Sequence, residues 1–272
     1  MRRLVLIAMF WVCASLRGAG IVDAYERLYN FDFPGAHRIL DGHIAAVPGD
    51  PLGPSTRAAA YLFFELDRLK ILQGEFLTDD KKISGDDKLT PDPAVRSHFF
   101  AAIEQAQRLA EARLQEHPGD PNSLFAYCIT EGLKTDYTAF VEKRQLRSLA
   151  SARKAHNYAV ELLERDPTFV DAKVTTGITE YLVGSLPFFI RWFVKFDQTQ
   201  GSKEQAVRNL ESVAEKGRYL GPFARILLSI IHLREQRAPM SLKLLDGLVK
   251  DYPGNRLLRT EFEKLAARQA KK

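Results

Sequence analysis

One spacing recurs five times along this chain and limits what it can fold into. Counting back twelve, eight and five residues from Pro48 gives Ala36, Leu40 and His43. The same steps from Pro118 give Ala106, Ala110 and Arg113, and from Pro167 they give Ala155, Ala159 and Leu162. From Pro253 they give Ser241, Leu245 and Leu248, while a fifth copy, Ala206, Leu210 and Val213, ends at Arg218 where the others have proline. Steps of four and three residues bring side chains onto one face of a helix. Small or apolar groups there let a second helix approach closely.

The punctuation repeats as well. Pro-Gly-Asp-Pro stands at 48–51 and 118–121, Pro-Gly-Asn at 253–255, and Ile-Thr-Glu at 129–131 and 178–180, eleven residues after Pro118 and Pro167. Asp50-Pro51, Asp92-Pro93, Asp120-Pro121 and Asp166-Pro167 each put an acceptor side chain before a proline. Asp at that place caps the free N–H groups of a helix start, and proline suits the first helical position. Ser202 with Gln205 has the spacing of a capping box. The β-branched and aromatic runs are short, so long helices are predicted and strands are not.

A proline-closed second helix with this spacing resembles the tetratricopeptide repeat. Ala58, Cys128 and Gly177 stand ten residues after the earlier prolines, where that repeat takes a small side chain; Leu228 departs from it, and Tyr61 falls where it favours an aromatic. The resemblance implies an all-α, right-handed superhelical solenoid of five irregular helix pairs, about 21–50, 51–120, 121–167, 168–218 and 219–253. A capping helix at 254–270 would close the domain of residues 21–272. It also implies that the first helices of the pairs line a concave side that holds a segment of another protein.

Residues 1–20 read differently. Arg2 and Arg3 precede an uncharged stretch from Leu4 to Leu16, followed by Gly18, Ala19 and Gly20. That is the layout of a secretory signal peptide, too short for a membrane span of ~20 residues. Val22-Asp23-Ala24 offers a second cleavage pattern. The protein is therefore expected to be exported and to work in the periplasm or cell envelope. Removing Arg2, Arg3 and Arg17 lowers the formal charge from +5 to +2, and the remaining cations alternate with acids, which argues against a nucleic-acid partner. Cys13 and Cys128 are the only cysteines, so a disulfide scaffold is excluded.

The departures from the repeat point toward function, because insertions in such arrays collect on one face. Residues 74–94 mix Asp79, Asp80, Asp86 and Asp87 with Lys81, Lys82 and Lys88. They lack the ordered ligands of a calcium loop and read as a solvated, self-neutralising loop. Residues 184–201 carry Phe188, Phe189, Trp192, Phe193 and Phe196, interleaved with Arg191 and Lys195. Ser-Leu-Pro at 185–187, that aromatic stretch, Gly-Ser-Lys at 201–203 and the helix ending at Val213 resemble, over 184–216, the inclusion-body-clearance family. That likeness points toward membrane or lipid association.

No H-E-x-x-H, G-x-S-x-G, G-x-G-x-x-G or P-loop motif occurs, and the histidines show no zinc spacing. His43 reads as a satisfied interior residue and Cys128 as buried and inert. Glu65 and Asp67 read as surface pairing rather than an acid/base couple. The expectation is a non-enzymatic scaffold without cofactor, metal or catalytic residue, mediating contact with another protein or peptide. Tyr61, Glu65, Arg68 and the five aromatics of 188–196 are its candidate binding residues. The alternatives are a peripheral membrane factor docking through 188–196, and a binder of a small ligand or envelope polymer in a pocket beneath the insertions.

Overall fold

The computed structural model describes residues 20–79, 89–185 and 201–271. Helices account for almost all of it, with no strand among the described residues. In order they are α1 (20–29), α2 (Phe33–Ala46), α3 (Leu52–Arg68), α4 (Pro93–Glu116), α5 (Pro121–Asp136), α6 (Gln145–Arg165), α7 (Lys173–Ser185), α8 (Lys203–Lys216), α9 (Gly221–Arg234), α10 (Ala238–Asp251) and α11 (Arg256–Ala270). A single turn of helix, Gly74–Leu77, follows α3, and a π-helical turn, Tyr137–Val141, extends α5. From α2 on, each helix packs on the next along the chain, the all-α solenoid of helix pairs that the resemblance implies.

The spacing itself is the packing face. Ala36 and Leu40, Ala106 and Ala110, Ala155, Ala159 and Leu162, Ala206, Leu210 and Val213, and Ser241, Leu245 and Leu248 are all buried. Gly177 shows why a small group is needed opposite them. A Cβ added there would lie 3.1 Å from Leu210 Cγ and 3.3 Å from the Ala206 carbonyl, so α7 and α8 touch almost backbone to backbone.

Three of the four Asp-Pro steps start helices as the punctuation predicts. Asp92 accepts from the N–H groups of Ala94 and Val95, Asp120 from Ser123, and Asp50 from Leu52. Asp166 differs. It accepts from the N–H and hydroxyl of Thr168 and starts a tight turn. The helix begins later, through the 3₁₀ turn Val170–Ala172 into α7. Ser202 caps α8 by accepting from Gln205 N–H at 3.1 Å, yet the return arm of a capping box does not form. The Gln205 amide turns to Asn209 instead.

The first helix packs by one face onto the array, while Asp23, Glu26 and Arg27 on its other face are exposed. Ile21, Ala24, Tyr25, Leu28 and Tyr29 of α1 are all buried. Burial of Ile21 and Leu28 alone is worth about 1.5–3 kcal/mol each. Tyr25 packs its ring 5.9 Å from that of Tyr219, at the entry to α9, and the Tyr29 hydroxyl donates to the Tyr219 carbonyl at 2.8 Å. Burial raises both phenols well above their ordinary range, which keeps them as neutral donors.

The far end of the chain returns to the same helix. Asn255 caps α11 with its carbonyl oxygen and donates its amide to the Tyr29 carbonyl at 2.8 Å. Gly254 N–H donates to Asn30 Oδ1, and the Tyr252 hydroxyl to Glu26. Arg256 pairs with Asp67 on α3 at 2.9 Å. The C-terminal end of the array is thereby joined to α1.

Candidate functional site

The two long insertions leave and re-enter the array at one end, where first helices finish and second helices begin. Each is tied at its base by a buried carboxylate from the first helix of its pair. Glu65 near the end of α3 accepts from Asp92 N–H at 2.8 Å, immediately before α4. Glu180 on α7 accepts from Ser202 N–H at 2.8 Å, immediately before α8. A carboxylate on a backbone N–H at a helix start makes a charge-assisted bond and favours the helix dipole. Glu180 belongs to the second Ile-Thr-Glu triplet, which marks the position in sequence without revealing this role.

The residues singled out on α3 are spent locally. Glu65 is only 1% exposed, so it is not a surface acid. It takes both arms of Arg68, at 2.8 Å from Nε and 2.7 Å from Nη2. Arg68 also donates to the Thr90 carbonyl at 2.6 Å, and the Glu65 bond raises its pKa further. The Tyr61 ring lies between His37 and His98, with centroids 4.5 and 5.4 Å away. Burial and the neighbouring Arg57 guanidinium lower the His37 pKa. Phe188, Phe189, Trp192, Phe193 and Phe196 lie outside the described residues.

Four residues that the sequence reading passed over meet on the same end. Glu235, just past α9, takes Lys203 Nζ at 2.7 Å and the Tyr181 hydroxyl at 3.2 Å. The ammonium stands 5.7 Å from the centroid of the Tyr181 ring, and it holds the Glu235 carboxyl below its ordinary pKa. Arg234 donates to the Leu77 carbonyl of the first insertion at 3.1 Å. The end of α9 therefore links the base of both insertions. At the neck of the second, a Cβ on Gly184 would lie 2.7 Å from the Gly201 carbonyl, and Gly201 has a positive φ of 73°. Only glycine fits both demands without strain.

Asp136 ends α5 on this face, next to the π-helical turn. Desolvation pushes its carboxyl up to about 7. Leu182 of α7, 59% exposed, is an apolar group left in solvent there.

His43 is an interior residue as expected, 2.9 Å from Asp50. Cys128 is buried beside Thr175 Oγ1, and burial pushes its thiol up to about 12. A thiolate is the nucleophilic form of cysteine, and this position disfavours it. An open depression of about 400 Å³ lies between Asp23, Glu26, Arg27, Asn30 and Ile39 on the outer side of α1 and α2. Two of its charged groups are already engaged, Glu26 with Tyr252 and Arg27 with Asp32. Among the described residues, no group of His, Cys, Asp and Glu is placed to hold a metal ion, and no helix is long and apolar enough to cross a membrane.

Fold and site together define a protein of tandem helix pairs, its C-terminal end joined to its first helix, with elaborated loops at one end. The chain matches no family model, and none of the curated proteins compared with it matches.

Proposed function

We propose that this chain is a non-enzymatic scaffold of the cell envelope that binds another protein at the end carrying the insertions. The carrying observation is the Leu77–Arg234 and Lys203–Glu235–Tyr181 contacts, which draw the bases of both insertions together. A rigid base lowers the ordering cost of binding for whatever the loops contact. Leu182, exposed beside this base, is the residue best placed to report a partner.

The export part of the proposal rests on the layout of residues 1–20. Ile21 is buried in the core, so processing just before it would leave the core whole. Processing after Ala24 would remove two core side chains, Ile21 and Ala24.

The test is site-specific photo-crosslinking in cells. A photoreactive residue replacing Leu182 is expected to capture a defined protein, whereas one replacing Lys250, at the other end of α10, is not. Equal capture from both positions, or none from position 182, overturns the placement of the site.

A further inference from the structure

The outer helix α6 carries a surface that the scaffold reading does not use. From Lys143 to Val160 the chain holds five cations, Lys143, Arg144, Arg147, Arg153 and Lys154, and no carboxylate. Arg144, Leu146, Arg147, Leu149, Arg153 and Lys154 are all exposed, Leu146 by 87% and Leu149 by 41%. The opposite face of the helix packs through Ala155, His156, Ala159 and Leu162.

Helix stability does not account for this arrangement. The start of an α-helix is its electropositive end, where acids are favourable and cations are not. Here Arg144 occupies the N-cap without a capping bond, Arg147 lies in the first turn, and no acid stands in that turn. Ion pairing absorbs only part of the charge. Glu142 takes Arg144 at 3.9 Å and also Arg96, while Arg147 and Lys154 have no ion pair among the described residues.

We infer that the first half of α6 docks on an anionic lipid bilayer. Charge complementarity and shape choose this occupant. The surface is the convex side of one helix rather than a groove, so it suits a flat partner. Leu146 and Leu149 project beside Arg153, with Arg147 and Lys154 along one flank of the exposed surface, and the leucines need an apolar phase to enter. A bilayer supplies both, taking the side chains at the acyl boundary and the cations among its headgroups. Nucleic acid offers the charge without the apolar phase. The surface lies at the end of α6 shared with the insertions, so docking there would hold the scaffold's binding end near the membrane.

Vesicle co-sedimentation tests the inference on the full mature chain. Vesicles of phosphatidylcholine with 30% phosphatidylglycerol are compared with phosphatidylcholine alone. Binding is expected to the anionic vesicles only, and to fall at least tenfold between 50 and 300 mM salt. Arg147→Glu/Lys154→Glu should abolish it, and Leu146→Ser/Leu149→Ser should weaken it at least threefold. All four side chains are exposed, and circular dichroism checks that the variants fold. Trp192→Ser/Phe193→Ser separates this surface from the aromatic insertion and should leave binding in place. Equal binding to neutral vesicles, loss only in the 192/193 variant, or no binding to either vesicle overturns the inference. So does capture of an acidic protein through the same arginines without vesicle binding.

Discussion

Asp171 offers the sharpest test of how neighbouring repeats are joined. It lies in the 3₁₀ turn before α7 and is 4% exposed. Its carboxylate accepts three backbone N–H groups, from Arg218 at 2.8 Å, Tyr219 at 2.9 Å and Leu220 at 2.7 Å. These residues lead into α9, whose N-cap Leu220 has no capping side chain of its own. A bond to a charged acceptor is worth about 1.5–3 kcal/mol, and an N–H left buried without a partner costs a similar amount. Only the Tyr219 and Leu220 bonds are fully buried, so Asp171→Ala should lose about 4 kcal/mol. Asp171→Asn keeps one oxygen for those two donors but turns an amide toward Arg218, and should lose about 2 kcal/mol. For a chain of this size each kcal/mol moves Tm by about 2–4 °C. Thermal unfolding followed by circular dichroism should then show drops of about 8–16 °C and half as much. Asp246→Ala, which removes only an exposed pair with Lys250, should move Tm by about 2 °C or less. An Asp171→Ala shift no larger than that of Asp246→Ala would refute the reasoning.

Two further outcomes follow from burial. The Asp136 carboxyl titrates near 7 in the folded chain and near the ordinary ~3.9 when unfolded, so the folded state binds more protons between these values. Stability should fall by about 2–4 kcal/mol as pH rises from 4 to 8. Asp136→Asn should match the parent at pH 4 and exceed it at pH 8; parallel urea-midpoint curves would contradict this. Cys128 should react with an aromatic disulfide reagent at pH 8 at least a hundredfold more slowly in the native protein than in urea, and equal rates would contradict its burial.

The second helices were readable because their packing faces are periodic and local. Ala155, Ala159 and Leu162 announce themselves by spacing, and Asp92 and Asp120 sit beside the N–H groups they cap. What escaped the sequence depends on residues far apart. Asp171 meets its donors more than forty residues away, and nothing in a single helix distinguishes it from a solvated acid. The same contact explains why the fifth copy ends at Arg218: proline there would have no N–H to give Asp171. The Ser202–Gln205 spacing marks the correct helix start, but Glu180 takes the Ser202 N–H that the box would have used. Glu65 reads as a surface pair because Arg68 and Lys70 follow it; Arg68 does pair with it, but the chain turns Glu65 inward toward Asp92. The position of α1 was the least legible, since its apolar face fits either a hairpin partner or helices far along the array.

The junction of the array's far end with α1 is tested most directly by joining the two covalently. A Cβ on Gly254 would lie 3.6 Å from Asn30 Cβ, within the ~3.5–4.5 Å span of a disulfide. In a chain of residues 21–272, Asn30→Cys/Gly254→Cys should oxidise to an intramolecular bond, seen as a mass loss of about two daltons and a faster-migrating band, with Cys128 still free. Because the bond closes a loop of more than two hundred residues, it should raise unfolding stability by up to about 5 kcal/mol. A pair that stays reduced under mild oxidant, or links only between molecules, would mean that the ends stand apart.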